Sequence, residues 1–211
     1  MPVSNDSKIE VLNDHYNHTF EIVKDILRRR DWMMSYAILL LILQFFQISD
    51  PNQTSVAIIS FIKNSYGIEI SIGKMTINAI LWFVLLVIVV RYYQAGIHLN
   101  KQYKYLHHLE KEFSDLFGKD IITREGKSYL KDYPVFSSWI HFVYTWVYPI
   151  FLIMVLTYNI FRDWKGCAFL FTSYGICFVC YLMIMISTIL YLHFCYKVHN
   201  TYSTSNDKNG R

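Results

Sequence analysis

The chain has 211 residues, of which 54% are hydrophobic and only 17% charged, with a net charge of +4 and a positive mean hydropathy. Eight Gly and four Pro exclude a collagen-like or linker chain, four Cys in so long a sequence exclude a disulfide-stapled secreted scaffold, and the abundance of apolar residues excludes disorder. The composition points to a membrane protein, and the distribution of uncharged runs along the chain predicts an all-α integral membrane protein with four transmembrane helices, the second extended into a cytoplasmic helical module.

Residues 1–31 read as an amphipathic helix. Ile9, Tyr16 and Val23 recur at spacing seven with Leu12, Thr19 and Ile26 between them, while Glu10, Asp14, Glu21, Lys24 and Asp25 occupy the other face. Arg28, Arg29 and Arg30 stand directly before the first apolar run, where they are expected to meet anionic lipid headgroups; a charge of +4 and interleaved acidic residues give no ground for direct nucleic-acid binding. Trp32 to Ser49 is uncharged over 18 residues and is assigned as the first span, 32–49. It begins too far into the chain, and without a small-residue cleavage site, to read as a signal peptide.

The loop 50–74 alternates Ile68, Ile70 and Ile72 with Glu69 and Ser71, and its stretch Val56 to Ile62 is mostly apolar. An interfacial hairpin or a short amphipathic element is expected there. Asn52-Gln53-Thr54 matches a glycosylation acceptor, which matters only in a eukaryotic secretory context.

The second span, 75–93, has 16 uncharged residues (Met75 to Val90) and reaches full length if Tyr92 and Tyr93 lie among headgroups and Arg91 snorkels. From Met75 to Phe117 there is no Pro and Gly96 is the only Gly, so the helix continues without a break into the module 94–132. There Leu99, Leu106 and Phe113 recur every seven residues, with Gln102, Leu109 and Leu116 as companions. Leu99, Leu106, Leu109, Phe113 and Leu116 are therefore candidate interface residues, packing against residues 9–26 of the same chain or against another subunit. Gly118 is expected to end the helix, Thr123 to start a short one limited by Pro134, and Ser137 and Ser138 to cap the third span.

The third span, 133–161, contains Pro149 and predicts a kink near Thr145 to Pro149, stabilised by neighbouring helices or by the Thr145 hydroxyl. After a short loop, 162–165, the fourth span covers 166–196, and 197–211 form a tail. Sixteen of the 20 Lys and Arg fall in the amino-terminal segment, the 91–131 stretch and the tail, which predicts both termini and the module in the cytoplasm. Aromatic residues near the span ends, among them Trp32, Trp82, Tyr92, Tyr93, Trp139 and Tyr148, read as an interfacial belt and large packing surfaces.

Candidate chemistry is sparse. Cys177-Phe178-Val179-Cys180 is a CxxC that, on a four-span chain, resembles the quinone-linked thiol oxidoreductases of the vitamin K epoxide reductase family. That resemblance implies a second cysteine pair between the first two spans, and the 50–74 loop contains none. His98, His141 and His193 fall at the inner ends of different helices, with His107 and His108 further out, yet no HxxxH, HExxH or EExxH pattern accompanies them. No cofactor or metal is expected. Within the four runs the polar residues are neutral, chiefly Gln44, Gln47, Asn78, Thr157, Asn159, Ser173, Ser187 and Thr188, which argues against ion-coupled transport and leaves a pore between subunits as an alternative.

Size, four spans, a cytoplasmic helical module and an Ile/Lys/Asn/Tyr-rich composition resemble the small membrane subunits of bacterial antiphage defence, Kiwa-type systems first and membrane accessory proteins of CRISPR loci second. No family motif matches LHHLEKEF or REGKSYLKDYP, so no functional residue is carried over. The resemblance implies a homo-oligomeric platform in the bacterial cytoplasmic membrane, which senses the envelope and engages a cytosolic effector protein or damages the membrane itself.

Overall fold

The structure is a computed structural model that describes residues 5–69, 71–117, 139–140, 142–164 and 173–209. It is all-helical, with no strand among the described residues: α1 (Asn5–Ser49), α2 (Pro51–Tyr66), α3 (Lys74–Phe117), a π-helical turn (Val143–Val147), α4 (Tyr148–Trp164) and α5 (Ser173–Asn209). Four helical stretches are long and apolar enough to cross a membrane: Ser7–Ser49, Lys74–Phe117, Val143–Asp163 and Gly175–Val198.

Local chemistry explains the boundaries. Between Pro2 and Pro51 the sequence has neither Pro nor Gly, so α1 runs unbroken for 45 residues. Pro51 forces Asp50 out of helical geometry (φ −142°, ψ 88°), and the Asp50 carboxylate then caps α2 by accepting from the Gln53 amide at 3.0 Å. One residue thus ends α1 and starts α2, with Pro in the first turn where its missing N–H costs nothing. Gly67 closes α2 in the left-handed conformation (φ +68°), its N–H donating to the Lys63 carbonyl. The expected element in the 50–74 loop is therefore a helix. Its inner side buries Ser55, while Val56, Phe61 and Tyr66 stay exposed.

Contacts divide the chain into two compact units, the first from residues 1–32 and 94–141, the second from residues 33–93 and 142–211. In the first unit the amino-terminal part of α1 pairs with the carboxy-terminal part of α3. Val23, Ile26 and Leu99 form its core, with Ile22, Leu27, Ala95 and Tyr103 packed against them. The second unit buries one stripe of each helix: Trp82, Leu85, Val89 and Tyr92 on α3, Tyr148, Leu152 and Leu156 on α4, and Cys177, Tyr181, Ile184, Thr188 and Tyr191 on α5. Their spacings of three and four are those of helices packed along one face. The opposite faces expose Phe45, Phe83, Phe151, Ile189 and Leu190, an outward apolar surface that suits lipid rather than water.

Where the sequence predicts a kink before Pro149, the structure has a π-turn. Pro149 has no N–H to give the Thr145 carbonyl and its ring crowds that carbonyl, so the backbone before it widens and the Tyr148 N–H reaches back to the Val143 carbonyl. The Tyr144 carbonyl accepts from the Tyr92 hydroxyl at 2.9 Å, so α3 supplies the stabilising bond. Tyr92 and Tyr93, expected among headgroups, are buried (2% and 4% exposed): Tyr93 stacks on Tyr191 at 4.3 Å and donates to the Thr188 hydroxyl at 3.0 Å. Trp82 and Tyr148 are interior as well, whereas Trp32 and Trp139 remain exposed. The expectations for Gly118, Thr123, Pro134, Ser137 and Ser138 lie outside the described residues.

Tyr92→Phe removes the partner of a carbonyl that the π-turn has released. It is expected to lower stability by roughly 0.5–2 kcal/mol, read as a lower melting temperature in detergent, while Tyr158→Phe at an exposed position leaves it unchanged.

Candidate functional site

Two places collect chemistry-bearing side chains, one in each unit. In the first unit, heptad spacing on α1 and α3 lets two stripes interdigitate. Leu99, Leu106, Leu109 and Phe113 are buried there, and Tyr16 meets Phe113 edge-on at 6.3 Å. These four candidate interface residues are thus used within one chain. Leu116 differs: it is exposed, and Phe117, stacked on Phe113, is exposed beside it. Glu110 is buried within the stripe at 6% exposure, its carboxylate 3.5 Å from His107 Nδ1. The outer faces carry ion pairs: Glu21 with Lys24 (2.9 Å), Asp25 with Arg28 (2.7 Å), and Arg30 with Asp31 (3.5 Å). Arg28 and Arg29 are exposed, whereas only 17% of the Arg30 side chain is accessible.

In the second unit a ladder of polar and aromatic groups crosses α3, α4 and α5. Asn78 and Trp82 are one turn apart on α3, Cys177 and Tyr181 one turn apart on α5, and the rungs join: Asn78 Nδ2 donates to Cys177 Sγ at 3.6 Å, and Trp82 meets Tyr181 edge-on at 4.6 Å. The Tyr181 hydroxyl then donates to Asp163 Oδ2 at 2.9 Å, and Arg162 Nε donates to Asp163 Oδ1 at 2.9 Å. On α1, Gln47 donates to the Ser55 hydroxyl (3.2 Å) and to the Lys74 carbonyl (3.4 Å), tying α1, α2 and the start of α3 together.

Sequence reasoning placed Arg162 and Asp163 in a short loop, and so missed Asp163 as the carboxylate of this ladder. The signal was present: no Pro or Gly interrupts the stretch from Ile150 to Asp163, and Asn159 to Asp163 is one helical turn. Of the neutral polar residues, Gln44, Gln47, Asn159 and Thr188 are buried inside this unit. Several of their atoms have no hydrogen-bond partner among the described residues, namely both amide atoms of Gln44, Gln47 Oε1 and Asn159 Oδ1, and Trp82 Nε1 beside them has none either.

Cys177 and Cys180 are both buried free thiols; Cys195 is a half-buried one, and Cys167 lies outside the described residues. Among the described residues no group of three or more His, Cys, Asp or Glu could hold a metal ion. His98 pairs with Gln102 on its own helix at 3.1 Å, His193 is exposed, and His141 lies outside the described residues. Chemically, the ladder locks helices together through a carboxylate that a tyrosine and an arginine both satisfy.

Comparison with protein-family models, with curated proteins and with solved structures finds no match.

Leu106→Asp is expected to cost several kcal/mol, because an unpaired carboxylate would sit where the leucine is fully buried, whereas Leu116→Asp should shift stability by about 0.5 kcal/mol or less. Limited proteolysis across residues 94–117 reads the difference. Asp163→Asn, which weakens both bonds to the carboxylate, is expected to lower stability by roughly 1–3 kcal/mol in a detergent melt, with Tyr181→Phe losing part of the same amount.

Proposed function

We propose that the protein is a non-enzymatic scaffold and sensor of the bacterial cytoplasmic membrane. In this reading it works as a homo-oligomer with both termini in the cytoplasm, serves antiphage defence, and couples the bilayer to a cytosolic effector protein through the unit built by residues 1–32 and 94–141. One observation carries the reading. α1 and α3 each place an apolar part in one compact unit and a charged, heptad-patterned part in the other, and the second of these has a hydrophobic core of its own. A helix needed only to cross hydrocarbon stops after about 20 residues. These run to 45 and 44, and the surplus is folded rather than left as overhang.

Since Leu99, Leu106, Leu109 and Phe113 are consumed in that core, the partner-facing side is the one left exposed on α3, where Lys101, Lys104, Tyr105 and His108 stand together at helical spacing. A cytosolic partner with an acidic surface complements it. The thiol and pore readings need, respectively, an accessible cysteine pair and polar groups facing out of the chain. Cys177, Cys180, Gln44, Asn159 and Thr188 all face inward.

The test is capture of cytosolic protein by chemical crosslinking in bacterial cells, followed by sizing of the complex in detergent. Wild type is expected to sediment as an oligomer with a bound partner. The double variant Lys101→Glu and Lys104→Glu should insert at wild-type yield, keep its melting temperature, and lose partner capture by about tenfold. A monomer that captures nothing, or capture that survives the charge reversal, overturns the reading.

A further inference from the structure

No further inference is drawn: the strongest candidate, the buried polar side chains inside the second unit (Gln44 on α1, Trp82 on α3 and Asn159 on α4), carries nothing, because no contact among the described residues brings their unpartnered atoms to one point where a ligand would meet them.

Discussion

A polar group carried by an apolar helix is satisfied only where its own backbone or a neighbouring helix offers a partner, because the outward faces of these helices are apolar. The second unit is organised by that constraint. Between helices, Asp163 takes a donor from Tyr181, Thr188 takes one from Tyr93, and the Tyr144 carbonyl takes one from Tyr92. Each such bond is worth little alone, roughly 0.6 kcal/mol on average between membrane helices. What they supply is register. A slide of one residue between α3 and α5 would separate Asn78 from Cys177, Trp82 from Tyr181 and Tyr93 from Thr188 together, while the surrounding Leu and Ile would find nearly equivalent contacts.

The architecture was legible in the sequence because it depends on coarse properties. Runs without charge, the absence of Pro and Gly between Met75 and Phe117 apart from Gly96, and the heptads led by Val23 and Leu106 each report a backbone-scale periodicity that single residues hardly disturb. The pairing of α1 with α3 in the first unit follows from those heptads, since two stripes of matching length on one chain meet at lower entropic cost than two on separate chains. That the helix is irregular before Pro149 follows from the ring itself, although the sequence does not say that the irregularity is a π-turn.

The interior chemistry was not legible, for a physical reason. Whether Tyr92 lies in a headgroup belt or in the core depends on which helix stands opposite, and hydropathy does not contain that. Tyrosine serves both places, as an amphipathic ring at an interface or as a buried ring whose hydroxyl has found an acceptor. Asp163 was obscured differently: its charge marked it as loop, although a carboxylate satisfied by Tyr181 and Arg162 sits at ease near the end of a helix. Leu116, read together with Leu106 and Leu109, shows the limit of a repeat, which gives the stripe but not the point at which the partner helix stops covering it.

The π-turn at Val143–Val147 has a further meaning for the history of this chain. A π-turn amounts to one residue more than an α-helix of the same path needs. Relatives that lack a proline at this point are expected to align here only with a one-residue gap, their helices otherwise keeping the same faces inward. Deleting one residue from 143–147 while retaining Pro149 would leave the ring against a carbonyl with no room to retreat, and replacing Pro149 alone would leave a surplus residue without a cause. The extra residue and the proline thus depend on each other physically, each leaving the helix mismatched without the other.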